Sequence, residues 1–212
     1  MLEGCPLFAG LDRTETGLAL RSMHAFTEFY EKNSFVHSQQ TPMRYFGLVL
    51  SGFVCACTDD LEGNRMLLVE VSPGTTFGES LHFLSVEDSS VYILAQEDSL
   101  ILWLSSESLF LPSDNPLTNT LRKQFTALLA SRTLHMNTRI QILSKHSLRE
   151  KLLTYFAGCA ESAHAKQFTI PFDREALAAY LGADRSAVSR ALSELKRDGI
   201  LDFYRNTFRI LI

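Results

Sequence analysis

Short hydroxyl and guanidinium side chains cluster along one predicted helix near the C-terminus of this 212-residue sequence. Arginine can donate a fork of hydrogen bonds to guanine O6 and N7, and serine can reach a base or a phosphate. The helix also carries a stripe with i, i+3, i+4 and i+7 spacing, Val188, Ala191, Leu192 and Leu195, which predicts a buried side. Most positions off this stripe are polar and predict a DNA-contacting face, in which Lys196 and Arg197 near the helix end are expected to meet phosphate or solvent: Arg185, Ser186, Ser189, Arg190, Ser193, Lys196 and Arg197.

Turn and cap residues predict the elements that must position this helix. Gly182 interrupts two helical patterns, Asp184 can cap the second helix, and Gly199 follows its end. Arg205 and Asn206 then separate two short apolar strands, which predicts a β-hairpin. The order predicts a helix-turn-helix with a wing, and Arg205 on the wing is a further candidate DNA contact. The alternative interpretation is an ordinary solvated helical hairpin.

The charge distribution favours a polyanion partner for the C-terminal part of the chain. The net charge is −4, but residues 1–120 hold 5 Lys and Arg against 16 Asp and Glu. Residues 121–212 hold 15 Lys and Arg against 8 Asp and Glu. Opposite charge in the two parts indicates two different roles. A chance fluctuation in composition is the alternative.

The N-terminal part alternates short apolar runs with turn residues. This texture is typical of an all-β barrel or sandwich, and no helical pattern interrupts it after a short helix at Thr14–Met23. A parallel βαβ sheet is therefore disfavoured. Turns are predicted at Ser51-Gly52, over Asp59–Asn64 and at Ser72–Gly74. Strands are predicted at Tyr45–Leu50, Phe53–Thr58, Met66–Val71, Val91–Ala95 and Leu100–Leu104.

A long helix is predicted from Pro116 to about Lys145, where the sequence contains neither Gly nor Pro. About thirty helical residues span roughly 45 Å, which is too long for a small domain to bury. Near-heptad spacing of Leu121 and Leu128 therefore predicts a dimer helix, with a long internal core helix as the alternative. Ser147 and Glu150 then match a capping box for a helix that ends near Gly158. The predicted domains are residues 1–112, 113–146 and 147–212.

The run from Asp184 to Ile200 resembles the recognition helix of the Crp/Fnr family, the relatives of the cyclic-AMP receptor protein. Ser72–Glu79 is similar to the family's phosphate-loop region, Tyr45–Val54 to its central barrel turn, and Ala95–Ser99 to the run that closes the barrel. The resemblance implies an α+β fold with three parts. These are an N-terminal double-stranded β-helix (a jelly-roll, cyclic-nucleotide-binding-like barrel), a long dimerisation helix and a C-terminal winged helix-turn-helix.

The resemblance further implies a homodimeric transcription regulator that reads a near-palindromic operator and works with RNA polymerase. The family's base-reading positions fall on Arg185, Ser186, Ser189 and Arg190. Many members carry Glu where Ser186 stands, so the commonest half-site of the family is not expected here. Whether targets are activated or repressed stays open. A ligand-binding barrel protein without specific DNA binding is the alternative function.

The effector of the barrel is not defined by the resemblance. Members that bind cyclic nucleotides use a Gly-Glu pair followed by an Arg-Ser pair. Gly78 and Glu79 are present, but Ser89 and Ser90 stand at the second pair, and no Lys or Arg lies between Arg65 and Arg122. His135 and Met136 occupy the adenine-contacting place, so cyclic AMP is not expected. The candidate pocket for an unknown small molecule comprises Gly78, Glu79, Ser80, Ser89, Ser90 and His135.

Neither of the family's common prosthetic groups is expected. An iron–sulfur cluster needs about four thiolates, and only Cys5 lies near the N-terminus. Haem would need an axial ligand such as His37 or His82, which are isolated histidines. Cys55 and Cys57 share one face of a predicted strand, and whether they sense redox state stays open.

Other classes of protein lack support in the sequence. No metal-site motif, nucleophile elbow or P-loop is present, so no enzymatic activity is expected. No run of eighteen apolar residues and no signal peptide is seen, so no membrane role is expected and the cytoplasm is the expected location.

Overall fold

The computed structural model describes residues 2–59, 62, 65–170 and 172–211. The chain divides into two compact units, Met1–Arg132 and Thr133–Ile212. Among the described residues no helix is long and apolar enough to cross a membrane.

The first unit is built on two antiparallel four-stranded sheets. Its short helices are α1 (Arg13–Ser22) and α2 (Glu79–Phe83), preceded and followed by short 3₁₀ turns. The strands are β1 (Phe26–Tyr30), β2 (Phe35–His37), β3 (Phe46–Ser51), β4 (Val54–Asp59), β5 (Arg65–Val71), β6 (Thr76–Phe77), β7 (Tyr92–Ala95) and β8 (Ser99–Leu104). The strand orders of the two sheets are β1-β8-β3-β6 and β2-β7-β4-β5.

Two apolar cores hold the first unit together. Val49, Ile101 and Trp103 lie in the core between the sheets, where β-branched and aromatic residues pack well on a pleated surface. A second core joins Phe46 of β3 to the N-terminal segment and the following long helix.

The five predicted strands are confirmed to within a residue or two at their ends. The expected uninterrupted β region is wrong, because α2 lies within it. Five residues are too few for a helical period to show. Most of the turn predicted over 59–64 lies outside the described residues.

Helix α3 (Pro116–Leu143) follows, with 28 residues and therefore a length of about 42 Å. The Leu117 N–H donates to Asn115 Oδ1 at 2.9 Å, which caps the helix start. Leu121 and Leu128 are 0% and 6% exposed, and Leu121 packs in the first unit's own core. Choosing these two leucines as dimer contacts was therefore wrong, because within this chain they are already buried.

The second unit contains a three-stranded sheet and a set of helices packed around Phe156 and Phe208, whose rings stack with their centres 4.4 Å apart. The elements are α4 (Leu148–Ala163), β9 (Gln167–Thr169), α5 (Arg174–Leu181), α6 (Arg185–Arg197), β10 (Leu201–Tyr204) and β11 (Thr207–Ile210). The strand order of the sheet is β10-β11-β9. The capping box predicted for α4 is confirmed, since Glu150 N–H donates to Ser147 Oγ at 3.2 Å and Ser147 N–H donates to Glu150 Oε2 at 3.1 Å.

Helix α4 ends later than predicted. It runs past Gly158 to Ala163 and stops at His164, which has a φ of 48° in the left-handed region. A Gly inside a helix costs only about 1 kcal/mol relative to Ala. Packing of Leu152 and Phe156 in the core of this unit outweighs that cost.

Candidate nucleic-acid interface and effector site

Helices α5 and α6 form the helix-turn-helix. Asp173 Oδ1 accepts from the N–H groups of Glu175 at 2.9 Å and Ala176 at 2.8 Å, which caps α5. Gly182 ends α5 with a φ of 61°, a left-handed conformation that glycine adopts without strain. Asp184 occupies the N-cap position of α6 with an extended backbone, but its side chain makes no capping hydrogen bond among the described residues. The prediction that Asp184 occupies the N-cap position is confirmed, but the side-chain hydrogen bond that would cap the helix is not observed.

Helix α6 separates a buried side from a polar side. Val188, Leu192 and Leu195 are at most 1% exposed and belong to the core of the second unit. Ala191 is partly buried against the same core. All seven polar positions predicted to face DNA are exposed: Arg185, Ser186, Ser189, Arg190, Ser193, Lys196 and Arg197. Ser189, Arg190, Ser193 and Arg197, together with Glu194, line a shallow open depression on this side.

Some of the exposed polar side chains on α6 already have hydrogen-bond or ion-pair partners within the chain, and others do not. Ser193 Oγ donates to the Ser189 carbonyl at 2.9 Å, a bond within the helix. Lys196 Nζ lies 2.6 Å from Asp202 Oδ1 on β10. Within the described part of the chain, the side chains of Arg185 and Arg190 make no hydrogen bond or ion pair. These two guanidiniums keep their full donor capacity for another molecule.

Lys196 ties the recognition helix to the wing. Its ammonium also lies 5.2 Å from the centre of the Phe203 ring. The hydrogen bond from Lys196 lowers the pKa of the Asp202 carboxyl below its ordinary value. Lys196 was predicted to meet phosphate or solvent, and its pairing with Asp202 was not anticipated.

Arg174 fixes the tip of the wing, a role that the sequence analysis missed. Its Nη2 donates to the Arg205 carbonyl at 2.7 Å, and its guanidinium lies 5.2 Å from the centre of the Phe208 ring. Burial lowers the pKa of the Arg174 guanidinium. Arg205 has a φ of 51° in the hairpin turn and is exposed beside Tyr204, which is 74% exposed. The wing therefore presents Arg205 at a defined position.

The predicted effector region is organised around Glu79 in the first unit. Glu79 is 6% exposed, and the Thr76 hydroxyl donates to its carboxylate. Arg132 of α3 lies with Nη2 3.5 Å from Glu79 Oε1 and donates to the Thr76 carbonyl at 2.5 Å. The sequence has no Lys or Arg between Arg65 and Arg122, but the fold brings the Arg132 guanidinium of α3 to this region.

Gly78 is covered by a neighbouring side chain. It precedes α2 with a φ of 77°, and a Cβ at this position would collide with Met43 Sδ. Met43 is 4% exposed and belongs to the core between the sheets. Met43 and Arg132 thus occupy the space beside Gly78 and Glu79.

In the described part of the chain, no side-chain hydrogen bond or ion pair joins Glu79 to the other predicted pocket residues, Ser80, Ser89, Ser90 and His135. Ser80 and Ser90 are exposed, and Ser89 is buried with its Oγ accepting from Val91 N–H at 3.1 Å. His135 is exposed and lies in the second unit. The observed cluster is therefore Thr76, Gly78, Glu79 and Arg132 with Met43.

The two histidines considered as haem ligands are held differently. His82 Nε2 accepts from Ser106 N–H at 2.9 Å, and its Nδ1 lies 3.3 Å from the Met43 carbonyl. Burial lowers the pKa of both His82 and His37. His37 Nε2 is buried without a hydrogen-bond partner among the described residues. No group of three or more potential metal ligands occurs in this described part.

A β-sheet sensing unit and a winged helix-turn-helix define the class of this protein as a DNA-binding transcription regulator. Residues 27–110 match the model of the cyclic nucleotide-binding domain, and residues 148–212 match the Crp-like helix-turn-helix domain. A curated relative, the cyclic AMP receptor protein of Thermus thermophilus, is 29% identical over 208 residues, covering 94% of this chain and 89% of the relative. The chain belongs to the Crp/Fnr family.

Solved structures share the fold. The Thermus thermophilus catabolite activator protein aligns with a TM-score of 0.54 and 26% identity, over 97% of this chain and 93% of that one. FixK2 of Bradyrhizobium japonicum aligns with a TM-score of 0.60 and 23% identity, over 88% and 92% of the two chains. The c-di-GMP-responsive regulator CLP of Xanthomonas campestris aligns with a TM-score of 0.64 and 18% identity, over 95% and 100%. The identity to CLP indicates a common fold only.

Proposed function

We propose that this regulator binds a near-palindromic operator as a homodimer and reads bases mainly through Arg190 and Arg185. The observation that carries the proposal is the exposed polar side of α6, on which both guanidiniums lack partners among the described residues. Ser186 and Ser189 add short donors and acceptors on the same side. Two such helices would enter successive major grooves about one turn apart.

The remaining polar residues are assigned to positioning rather than base reading. Lys196 is paired with Asp202, and Ser193 is bonded within the helix, so neither keeps its full capacity for a base. Arg197 at the end of α6 and Arg205 on the wing are exposed cations suited to phosphate. Because Ser186 cannot accept from cytosine N4 as a carboxylate does, the operator should differ from half-sites read by Glu.

The test begins with selection of the operator from random DNA. Arg190→Ala should cost about 1–3 kcal/mol and relax preference at one base pair per half-site. Arg197→Ala is the matched control, and it should weaken all sequences evenly and reduce the salt slope by about one per half-site. Equal relative preferences for Arg190→Ala and the parent would limit Arg190 to a backbone contact. Complete absence of salt-dependent DNA binding would favour a ligand-binding protein instead.

We propose that the effector is a small organic anion that pairs with Arg132. The Thermus thermophilus relative is named for cyclic AMP, but in this chain Ser89 and Ser90 stand where an arginine would hold the phosphate. Arg132 is half-buried and forms an ion pair with Glu79. An incoming anion would take the place of the Glu79 carboxylate as the partner of the Arg132 guanidinium. Calorimetry should detect no cyclic AMP binding at micromolar concentrations, whereas a micromolar constant, about 8 kcal/mol, would contradict this proposal.

We further propose that the protein acts in the cytoplasm, where it meets the chromosome and RNA polymerase. We assign no catalytic step to the chain. The family relationship supports DNA binding and dimer formation. Copurification with RNA polymerase on a selected operator, in the presence and absence of DNA, would test the polymerase contact.

A further inference from the structure

The C-terminal end of α3 belongs to the second unit, which begins at Thr133. Ile142 is 1% exposed and lies in the same buried core as Leu177 of α5. Met136 and Ile140 are exposed on another side of the helix. This end of α3 is therefore anchored in the helix-turn-helix unit, and it still presents apolar side chains to a partner protomer.

Arg139, three residues before Ile142, reaches the first helix of the helix-turn-helix. Its guanidinium carbon lies 5.3 Å from the centre of the Tyr180 ring on α5. A cation within about 6 Å of an aromatic ring centre is attracted by the negative face of the ring. Both residues are partly buried, so water competes less for the guanidinium than it does at an exposed site. Arg139 therefore links α3 to α5 through a contact that depends on their mutual orientation.

Two neighbouring rings hold Tyr180 in place. The centre of its ring lies 5.3 Å from that of Tyr155 on α4 and 5.0 Å from that of Phe172. Tyr155 and Phe172 are themselves neighbours, with ring centres 6.1 Å apart. Aromatic pairs at such distances attract each other beyond the burial of their surface. Arg139 therefore meets a ring whose position is set by the fold of the second unit.

Leu143, one turn after Arg139, lies against the turn of the helix-turn-helix. Its Cδ2 lies 3.7 Å from the place that a Cβ would take on Gly182, an ordinary van der Waals distance. Gly182 ends α5, and α6 begins three residues later at Arg185. Residues four apart share one side of a helix. The same side of α3 therefore contacts both α5 and the turn that leads into the recognition helix.

We propose that Arg139 is a positioning residue that fixes the spacing between the two operator half-sites, an inference that rests on the proposed homodimer. In a dimer joined through α3, the orientation of each α6 relative to α3 sets the distance between the two recognition helices. Moving one half-site by one base pair shifts it by about 3.4 Å and turns it by about 35° around the DNA axis. A protomer can follow that movement only if its helix-turn-helix turns relative to α3.

The contribution of Arg139 differs from that of the apolar core because it is directional. Burial of Ile142 is non-directional and tolerates a small turn of α5. The same turn moves the face of the Tyr180 ring away from the Arg139 guanidinium, and the attraction is lost. Binding to a misplaced half-site therefore breaks the cation–π contact, which corresponds to about a tenfold loss of affinity.

The test compares full-length variants on the operator selected from random DNA, with the spacing between its half-sites lengthened or shortened by one base pair. Arg139→Gln should bind the best spacing within about threefold of the parent, while its penalty for a changed spacing should be about tenfold smaller. Arg139→Lys keeps a cation and should retain more of the parent's penalty than Arg139→Gln. Base preference within each half-site should not change, because Arg139 lies outside α6.

Two further variants make the comparison independent of one substitution. Tyr180→Leu removes the ring instead of the cation and should give the same smaller penalty, so the result does not depend on the folding of Arg139→Gln alone. Lys145→Gln is the matched control, because it removes the same charge from an exposed residue just beyond the end of α3. Its spacing penalty should equal that of the parent.

The outcomes separate this role of Arg139 from the proposed function. An unchanged spacing penalty in Arg139→Gln and Tyr180→Leu would overturn the role and leave the homodimeric function intact. An equal loss of the penalty in Lys145→Gln would attribute the effect to net charge and would also overturn it. A parent protein that selects only unpaired half-sites would contradict the proposed homodimer itself, and with it the positioning role.

Discussion

Arg132 and Glu79 form a pair in which one partner is buried and the other is not. The side chains are 35% and 7% exposed, and Nη2 lies 3.5 Å from Oε1. Removing the cation leaves a buried carboxylate with the Thr76 hydroxyl as its remaining neutral donor. Solvent exposure of Arg132 reduces the cost below that of a fully buried pair.

We therefore expect Arg132→Gln to lower the free energy of unfolding of the first unit by about 1–2 kcal/mol. A double-mutant cycle with Glu79→Gln should give a coupling energy of about 1 kcal/mol. Chemical denaturation followed by tryptophan fluorescence measures both quantities. Additive effects of the two substitutions would show that the pair contributes nothing.

His82 gives the first unit a pH-dependent stability. Burial lowers its pKa below the ordinary value of 6.5, and its Nε2 accepts a hydrogen bond from Ser106 N–H. The unfolded chain binds a proton near pH 6.5 while the folded chain does not. Stability is therefore fully present above pH 6.5 and is lost as the pH falls from there towards the folded pKa.

We expect His82→Gln to reduce the loss of stability between pH 7 and pH 5, since glutamine does not titrate. His135→Gln changes an exposed histidine and should leave the slope of the parent unchanged. Denaturant midpoints measured across this range compare the three proteins. Equal slopes for the parent and His82→Gln would assign the pH dependence to other groups, including His37, whose pKa burial also lowers.

The two candidate sites differ in how far the sequence predicts them. The polar side of α6 follows from helical periodicity, because the buried positions Val188, Leu192 and Leu195 fix which side remains exposed. The pairing of Glu79 with Arg132 joins residues 53 positions apart and leaves no periodic signal. Arg174 at the wing was missed for the same reason, since its partner carbonyl is 31 positions away.

At the scale of elements, α3 has two differently exposed halves. Phe125 in its first half is fully buried in the first unit. Met136, Ile140 and Leu143 in its second half are 65%, 59% and 39% exposed. Their i, i+4, i+7 spacing places them on one side of the helix, which is the side we expect at the dimer interface.

Met136→Glu combined with Ile140→Glu should convert the dimer to monomers. Burial of two such side chains contributes about 3–6 kcal/mol, so the dimer dissociation constant should rise at least about 100-fold. Leu134→Glu is the control. Leu134 is 66% exposed, and because it lies two residues before Met136 it points about 200° away from Met136 around the helix axis. Light scattering with size exclusion distinguishes the outcomes. A dimer that survives the double substitution would exclude this side of α3 as the interface.

Element boundaries show what local sequence rules omit. The start of α4 at Ser147 was predictable because a capping box is a local pattern of two side chains. Its end was not, because the backbone continues through Gly158 where tertiary packing of Phe156 favours the helix. Helix α2 has only five residues, which is too short for a helical period to be detected in the sequence.

At the scale of the whole molecule, the two units have separate apolar cores. The core around Phe156 and Phe208 contains residues of the second unit, and the cores around Phe46 and Trp103 contain residues of the first. Trp103 is the one tryptophan of the sequence. Its fluorescence therefore reports on the first unit alone.

We expect Phe208→Ala to lower the stability of the second unit by about 3–5 kcal/mol and to abolish DNA binding. The denaturation curve followed by Trp103 fluorescence should be unchanged, while that followed by far-ultraviolet circular dichroism should gain an earlier transition. Phe46→Ala is the matched change in the first unit and should shift the fluorescence curve. A fluorescence curve that shifts equally for both variants would mean that the two cores unfold as one.

Helix α6 has a buried apolar stripe and an exposed polar side, and this separation affects how the DNA specificity of such a regulator can change during evolution. Val188, Leu192 and Leu195 hold the helix in place, while Arg185 and Arg190 make no contact that the described fold depends on. Surface substitutions away from packing features usually change stability by less than about 0.5 kcal/mol. A lineage can therefore exchange these side chains and acquire a new operator without first acquiring compensating changes in the core. Over evolutionary time, recognition can drift while the scaffold stays the same.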